Sequence, residues 1–380
     1  MKNVAISAVV DYITMFIEKL WKEKVLIIAM LLAICSSFIT TPKLSYIDFK
    51  VLVLIFNLMI IVAAFKKLKV MDIIAMEILS KCSSTRVVSM VFIAITFFLS
   101  MLVTNDVALI TFVPLTILTF NKTKVDPMKT IILQTLAANI GSSLTPMGNP
   151  QNLFLFTHYN LNAMEFFKVI IPFVLFGFIW LLWLNRRVPK RGIRIKVKEV
   201  HINDKKRVTA YIILFIFVIA SVFGIINYKY TLIAVILGII IMDRRLFKEV
   251  DYFLLATFIC FFVFIGNISN IEIVKIYLKG FLKLQHMTYF SSIILSQVVS
   301  NMPCAILVSS FTNNWKEILL GVDIGGMGTI IASLASLISY KIYVKENEDK
   351  GKVYLKKFNL YNFSSLLLFT LVMFLWIRVL

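Results

Sequence analysis

Residues 138–153 constrain the fold of this chain more than any other stretch; they read Ala-Asn-Ile-Gly-Ser-Ser-Leu-Thr-Pro-Met-Gly-Asn-Pro-Gln-Asn-Leu. They lie between apolar runs at 131–136 and 153–156, where hydropathy predicts a membrane-spanning helix. A continuous helix cannot pass through them, because Pro146 and Pro150 each remove a backbone donor and clash with the preceding turn. The chain is therefore expected to unwind at this point.

Unwound backbone at bilayer depth is tolerated only where protein or a watery cavity supplies the missing hydrogen bonds. The interrupted stretch carries five polar side chains, Asn139, Ser142, Ser143, Thr145 and Asn149. A surface loop is the plain alternative. We interpret the stretch as an ion and substrate site within a broken helix.

Composition predicts the class of protein in which this break occurs. Of 380 residues, 60% are hydrophobic and 16% are charged, and the apolar runs are long enough to cross about 30 Å of hydrocarbon. We therefore predict an all-α polytopic membrane protein. The net charge of +20 lies mainly between the apolar runs, which indicates topology signals and lipid headgroup contacts and excludes a nucleic-acid partner.

The same order of segments occurs twice along the chain: two spans, a surface segment, a hairpin with asparagine at its tip, a broken helix and a closing span. The surface segments are predicted at 65–86 and 266–286. The predicted units are an interfacial helix at 1–24, a first repeat at 25–185, a basic loop at 186–208, a connecting helix at 209–226 and a second repeat at 231–378. The first repeat has its hairpin tip at 104–106 and its broken helix at 128–157. The second repeat has its hairpin tip at 300–303 and its helix break at 323–329.

The basic residues predict the orientation of these units. The positive-inside rule is satisfied by a cell membrane protein (inner or plasma membrane) with a cytoplasmic N-terminus, an outer C-terminus and five cytoplasmic loops, at 66–86, 121–129, 186–208, 243–250 and 344–358. The first hairpin then opens inward and the second outward, so that the repeats are inverted. Inverted repeats with re-entrant hairpins and discontinuous helices are the build of secondary transporters.

Helix ends at the tips and breaks carry the expected chemistry, since amide hydrogens attract anions and carbonyl groups attract cations. Asn105 and Asn301 each offer a donor and an acceptor, with helix capping alone as the alternative. Asp106 and Asp323 are carboxylates at predicted membrane depth, where burial costs between about 3 and 10 kcal/mol unless the group is solvated, protonated or paired. We expect them to coordinate sodium or carry a proton; the alternative is that each accepts backbone hydrogen bonds at a helix start.

Small and hydroxyl residues flank these positions and complete the predicted substrate and ion site. Hydroxyls and unwound carbonyls supply the oxygen ligands that hard cations prefer. The flanking residues are Thr104, Gly141, Ser142, Ser143, Thr145, Gly148, Asn149, Ser300, Gly325, Gly326, Gly328 and Thr329. Sodium, where it is the coupling ion, is expected at Asn105, Asp106, Ser143, Asn301 and Asp323.

The motifs Thr104-Asn105-Asp106, 138–153, Ser300-Asn301-Met302-Pro303 and Asp323-Ile-Gly-Gly-Met-Gly-Thr329 together resemble the ion transporter superfamily. The resemblance is to its branch of arsenite permeases, sodium/proton antiporters and citrate-type anion permeases. It implies a homodimer, an elevator-like movement, and substrate and coupling ions between hairpin tips and broken helices. The tips differ from the Ser-Asn-Thr tips of sodium-coupled dicarboxylate relatives, because Asp106 and Met302 occupy the third place.

The resulting functional prediction is a secondary active transporter of a small anion, either a carboxylate or an inorganic oxyanion, coupled to Na⁺ or H⁺ and without another cofactor. Arsenite or antimonite efflux, for which the lone thiol of Cys304 is weak support, and sodium/proton antiport are the alternatives within this class. A channel is an alternative from a different class, since broken helices also form the selectivity filters of channels. An enzyme acting on a lipid-linked substrate is the remote alternative, because no acid pair, Cys/His couple or serine triad stands out.

Overall fold

The computed structural model describes residues 21, 23–80, 82–121, 125–192 and 204–379, and this part of the chain is all-helical. The predicted interfacial helix at 1–24 falls almost wholly outside the described residues, as does the middle of the basic loop at 186–208. Five helices in the described part are long and apolar enough to cross a membrane: Phe49–Lys67, Thr85–Val103, Ala163–Asn185, Tyr252–Ser269 and the segment Glu348–Ile377.

The helices are labelled here in chain order. The first group is α1 (Lys24–Ser37), α2 (Phe49–Lys67), α3 (Val70–Leu79), α4 (Thr85–Val103), α5 (Asn105–Asn121), α6 (Met128–Ser142), α7 (Pro150–His158) and α8 (Ala163–Asn185). Helix α9 (Lys205–Val222) follows. The second group is α10 (Tyr228–Asp243), α11 (Tyr252–Ser269), α12 (Glu272–Leu282), α13 (Met287–Val299), α14 (Asn301–Ser309), α15 (Trp315–Gly325), α16 (Leu334–Glu346) and α17 (Gly351–Ile377).

The packing of the two groups of helices follows one scheme. Helices α4 and α5 pack on each other and on α6, while α13 and α14 pack on each other and on α15. Across the groups, α5 packs against α16 and α14 against α7, and α1 packs against α11 as α10 does against α2. The contacts therefore come in corresponding pairs. Inversion of the two groups relative to a membrane stays a prediction.

Each group has a glycine where two helices approach closely. A Cβ atom on Gly141 of α6 would lie 2.2 Å from the carbonyl oxygen of Phe97 on α4. In the second group, a Cβ atom on Gly325 of α15 would lie 2.6 Å from Cβ of Ser296 on α13. Neither glycine has a positive φ, so the requirement is for space. These contacts hold the arms that end at residues 103 and 299 against the broken helices.

Side-chain bonds connect the loops that the charge pattern predicts on the cytoplasmic side. The bonds run from Lys67 Nζ to Asp243 (2.5 Å), from Lys129 Nζ to the carbonyl of Arg187 (2.9 Å) and from Lys350 Nζ to Asp126 (2.9 Å). A further hydrogen bond joins Thr85 Oγ1 to the carbonyl of Pro189 at 2.6 Å. These loops therefore share one end of the molecule. Its cytoplasmic orientation remains a prediction from charge.

The structure corrects the bounds of both helix breaks. Helix α6 continues to Ser142, so Asn139 and Gly141 are helical, and the unwound segment is 143–149. Helix α15 continues to Gly325, which places Asp323 in its last turn and the unwound segment at 326–333 rather than at 323–329. Pro150 begins α7, because a proline at the first helical position lacks only a donor that would be unpaired there anyway.

Two further bounds differ from the sequence prediction. The apolar helix α11 extends to Ser269, so the surface segment expected at 266–286 contains a separate helix, α12, only from Glu272. The loop predicted at 344–358 is partly helical, because α17 begins at Gly351 and carries lysines on its first turns. In both cases a long apolar helix continues into polar residues, at the C-terminal end of α11 and at the N-terminal end of α17.

Substitution of Gly141 by alanine should destabilise the protein by about 1–3 kcal/mol, because the added methyl group overlaps backbone of α4 that cannot move alone. Gly280→Ala is the matched control, since no atom of the described part of the chain lies within 4 Å of the corresponding Cβ position. Thermal unfolding of the purified protein in detergent measures the difference. Equal unfolding temperatures for the two variants would contradict the close packing of α4 and α6.

Candidate functional site

The two hairpin tips have nearly the same backbone geometry. Thr104 has φ 76° and ψ 150°, and Ser300 has φ 73° and ψ 157°. The next N–H group bonds to the break of its own half: Asn105 N–H donates to the carbonyl of Gly148 at 3.1 Å, and Asn301 N–H donates to that of Ala332 at 2.9 Å. Each tip is thus bonded to the residue immediately before the N-cap of the helix that follows the break.

The asparagine side chains at the tips act partly as caps. Asn105 Oδ1 accepts from Asp106 N–H at 3.0 Å, and Asn301 Oδ1 accepts from Met302 N–H at 2.9 Å. The amide nitrogens face the breaks. Asn105 Nδ2 donates to Asn139 Oδ1 at 3.3 Å, and Asn301 Nδ2 would lie 3.1 Å from a Cβ atom on Gly326. Capping therefore uses the Oδ1 atom of each asparagine and leaves its Nδ2 group for other contacts.

Asn139 connects the first half to the second. Its Oδ1 also accepts from Ser333 Oγ at 3.0 Å, and its Nδ2 donates to the carbonyl of Gly326 at 3.3 Å. Ser333 is the residue at the N-cap of α16. One amide in the last turns of α6 therefore binds both ends of the break in the opposite half.

Asp323 occupies the corresponding position on α15 and makes the reciprocal connection. Its Oδ1 accepts from Asn149 Nδ2 at 3.3 Å and from Gln151 Nε2 at 3.2 Å. Asn149 is the N-cap of α7, and its Oδ1 accepts from Asn152 N–H at 2.9 Å. Each half thus extends one polar side chain to the helix start of the other half.

Three buried oxygen atoms around these contacts have no hydrogen-bond partner among the described residues: Asp106 Oδ1, Asp323 Oδ2 and Asn152 Oδ1. Asp323 is only 2% exposed. Orphaned buried acceptors are rare in native proteins and generally indicate an ion, a water molecule or a proton. The two carboxylates predicted from the sequence are therefore the groups with unused binding capacity.

Three of the predicted hydroxyl ligands donate their protons within the protein. Ser142 Oγ and Ser143 Oγ donate to the carbonyl of Asn139 at 3.1 and 2.9 Å. Thr145 Oγ1 donates to the carbonyl of Met101. Gly148 has no room for a side chain, because a Cβ atom would lie 2.1 Å from the carbonyl oxygen of Ser142. These hydrogen bonds orient the hydroxyl groups within the break, and their oxygen atoms keep lone pairs, so their role as cation ligands stays a prediction.

Sequence reasoning missed Gln297, which bridges the second break. Its Nε2 donates to the carbonyl of Gly325 at 2.8 Å, and its Oε1 accepts from Thr329 N–H at 2.9 Å. Thr329 Oγ1 in turn donates to the Gln297 carbonyl at 2.9 Å, and Gly328, with φ 110°, lies against the same side chain. The position of a glutamine three residues before the tip was the available signal. Gln151, within the 138–153 motif, was missed in the same way.

A cavity of about 490 Å³, called here the inner cavity, opens on this site. Its deep end is formed by Thr104 and Asp106, and its mouth carries five charged residues, Lys66, Lys67, Lys69, Glu249 and Asp251. A small pocket of about 30 Å³ continues from Thr104 and Asp106 to Asn149 and Pro150. The first tip and the first break are therefore reached from the end of the molecule that carries the linked basic loops.

Comparison with known proteins identifies the family. The family model described as citrate transporter, CitMHS, matches residues 12–314. The chain belongs to this family. The resemblance derived from the tip and break motifs is thereby confirmed, and the protein is a multi-pass membrane transporter.

Individual relatives agree with this assignment. The chain is 40% identical over 300 residues to an uncharacterized transporter of Methanocaldococcus jannaschii, covering 78% of this chain and 81% of the relative. It is 26% identical over 304 residues to the inner membrane protein YbiR of Escherichia coli, covering 78% and 80%. The solved YdaH transporter of Alcanivorax borkumensis shares the fold, with a TM-score of 0.54 at 14% identity, covering 86% of this chain and 84% of that one.

Variants of Asp323 should separate its hydrogen-bonding role from its charge. Asp323→Ala leaves the amide donors of Asn149 and Gln151 without an acceptor and should lower stability by about 1–3 kcal/mol. Asp323→Asn keeps an acceptor oxygen and removes a buried charge, so its unfolding temperature should equal or exceed that of the wild type. Thermal unfolding in detergent measures both. An alanine variant as stable as the asparagine variant would contradict the bridging role.

Proposed function

We propose that the protein is a secondary active transporter that moves a small anion, a carboxylate or an inorganic oxyanion, together with Na⁺ or H⁺ by elevator-type alternating access. The observation that supports this most directly is the inner cavity, which ends at a hairpin tip beside two unwound helices. Discontinuous helices around a polar site within a membrane protein are the structural basis of substrate binding in transporters.

An anion fits the electrostatics of the helix ends. Helices α5, α7, α14 and α16 all begin at the tips and breaks, so that the positive ends of four helix dipoles lie around the site. At the mouth of the inner cavity Lys66 and Lys69 favour anions, whereas Lys67 is paired with Asp243 and the carboxylates of Glu249 and Asp251 oppose them. The first two N–H groups of α5 and of α14 are already bonded within the protein, so at these two helices the dipole itself favours an anion.

The two carboxylates supply a physical reason for coupling to a cation. The described side chains of the central network are amides, hydroxyls and Asp323, with Asp106 beside it, and none is a lysine or arginine. An anion that enters this site is repelled by Asp106 and Asp323 unless a proton or a cation binds first. Sodium or a proton on the unused carboxylate oxygens lowers that repulsion, so the anion and the cation bind together.

The packing is consistent with a moving core and a fixed frame. Hydrogen bonds of the central network join α5, α6, α7, α15 and α16, whereas α1, α2, α10 and α11 pack in pairs with one another. Movement of the hydrogen-bonded core against the frame would carry the site across the membrane. A homodimer joined through the frame, with membrane lipid around it, completes the proposal by analogy with the superfamily.

Sodium/proton antiport is the second candidate, and the unpaired Asp106 Oδ1 on the inner cavity favours it. Arsenite efflux gains no support from Cys304, since its thiol is buried and contacts the carbonyl of Ser292 at 3.4 Å. The candidates differ in what crosses the membrane. Anion transport requires an added anion, whereas cation exchange proceeds without one.

Uptake into proteoliposomes tests the proposal. With an imposed sodium or proton gradient, the wild-type protein should accumulate a labelled anion from a panel of citrate, succinate, sulfate and arsenite. Asn105→Ala and Asn301→Ala should each reduce uptake by at least about tenfold, because each removes a tip donor or acceptor and the associated binding energy. Asn359→Ala, an exposed residue on α17, is the matched control.

The outcomes distinguish the candidates. Uptake that is unchanged in both tip variants would refute the site. Proton movement driven by a sodium gradient in the absence of any added anion would replace anion transport by antiport. Anion flux that does not depend on the sodium or proton gradient would indicate a channel.

A further inference from the structure

A second cavity of about 510 Å³, called here the outer cavity, lies at the opposite ends of the helices that line the inner one. The inner cavity uses the end of α2 around Ala63 and Lys66 and the start of α11 at Leu254. The outer cavity uses the start of α2 at Phe49 and the end of α11 around Gly266. Because both helices are long enough to cross a membrane, the two cavities open on opposite sides.

Part of the inner wall has counterparts at corresponding positions in the outer wall. Alignment of the two groups of helices at their shared N-cap and tip positions pairs inner with outer residues as follows: Met59 with Phe262, Ala63 with Gly266, Lys66 with Ser269, Asp251 with Asp48, Ile110 with Ile306, and Ile338 with Phe154. The outer cavity is therefore the counterpart of the inner cavity in the second group, and not an unrelated surface groove.

The two cavities differ in depth. The inner cavity reaches Thr104 and Asp106 at the first tip, whereas the outer cavity ends at Ile306, one turn beyond the second tip. Met302, the counterpart of Asp106, is only 4% exposed. The inner cavity therefore gives access to the first tip, whereas the outer cavity does not reach the second tip.

Two aromatic rings pack against each other in the wall of the outer cavity. Phe154 of α7 and Phe262 of α11 lie in the wall of the outer cavity with ring centroids 5.9 Å apart, and they are 2% and 3% exposed. Their inner counterparts are Ile338 and Met59, which lack rings and border the open cavity. The contact also joins a core helix, α7, to a frame helix, α11.

We propose that the outer cavity is the second mouth of the anion pathway and that the Phe154–Phe262 contact is the gate between this mouth and the tip at Asn301. This inference rests on the proposed transport function. Its ligand is the transported small anion, which meets Lys50 and His158 in the cavity wall. Asp48 in the same wall is occupied as an N-cap, since its Oδ1 accepts from Val51 N–H at 3.0 Å.

Side-specific labelling of engineered cysteines tests the gate. Met302→Cys is placed in a chain whose four native cysteines are replaced by alanine, and Val107→Cys in the same background reports on the inner cavity. A membrane-impermeant maleimide is added to either side of sealed vesicles. Phe262→Ala should increase labelling of Met302→Cys from one side by at least about tenfold, because removal of one ring opens the path to the second tip. Val107→Cys should label from the other side.

The controls separate gating from loss of structure. Phe264→Ala removes the same ring from α11 outside the cavity wall and should leave labelling of Met302→Cys unchanged. Phe262→Met introduces the residue type found at the inner counterpart, Met59, and changes the side-chain volume less than alanine does. It replaces the alanine variant in the labelling experiment where that variant does not fold. A chain that retains only Cys304, whose thiol is buried against α13, should remain unlabelled in both gate variants. Labelling of Cys304 would show general unfolding and refute a local gate.

Two results would overturn the inference. One is that Met302→Cys stays unlabelled in both gate variants, and the other is that Met302→Cys and Val107→Cys label from the same side. Anion uptake is measured in parallel on the wild-type protein. Absence of uptake there would refute the transport proposal, whereas the sidedness of labelling decides independently whether the two cavities are opposite mouths closed at this aromatic contact.

Discussion

The structure depends on how the broken helices satisfy their backbone groups away from water. Each break leaves N–H and C=O groups without helical partners, and in hydrocarbon each unpaired group costs several kcal/mol. The tip N–H of Asn105 binds the carbonyl of Gly148, and the Gln297 side chain binds the carbonyl of Gly325. Because these partners come from other helices, neither break is stable by itself. The polar centre also holds the two halves together, because Asn139 binds Gly326 and Ser333 while Asp323 binds Asn149 and Gln151.

The existence of these breaks was predictable, because proline, glycine and clustered polar residues cannot form a continuous apolar helix. Their bounds were not. Whether the helix continues through Gly141 or Gly325 depends on how closely α4 or α13 approaches, which is a property of packing between residues far apart in the chain. The bridging roles of Gln151 and Gln297 have the same origin. A glutamine is identified as a hydrogen-bond bridge only when its distant partners are known.

The two halves combine equal geometry with unequal chemistry. Asn139 and Asp323 occupy corresponding positions and make reciprocal connections, yet only Asp323 can carry a charge. At the tips the relation is reversed, since the first half has Asp106 and the second has Met302. Each half thus contributes one carboxylate, at a different level of the site. The two halves therefore differ in where their carboxylates lie, although the surrounding helices correspond closely.

The backbone conformation at the two tips is strained, and this strain affects the stability of the protein. Thr104 and Ser300 adopt a combination of φ and ψ that is almost confined to glycine, at a cost of about 1–3 kcal/mol for each residue. Glycine would adopt it with little strain. A protein selected for thermal endurance alone would therefore carry glycine at both tips. At the second tip the Ser300 hydroxyl donates to the carbonyl of Ala332 at 3.2 Å, a bond that glycine could not make and that offsets part of the strain.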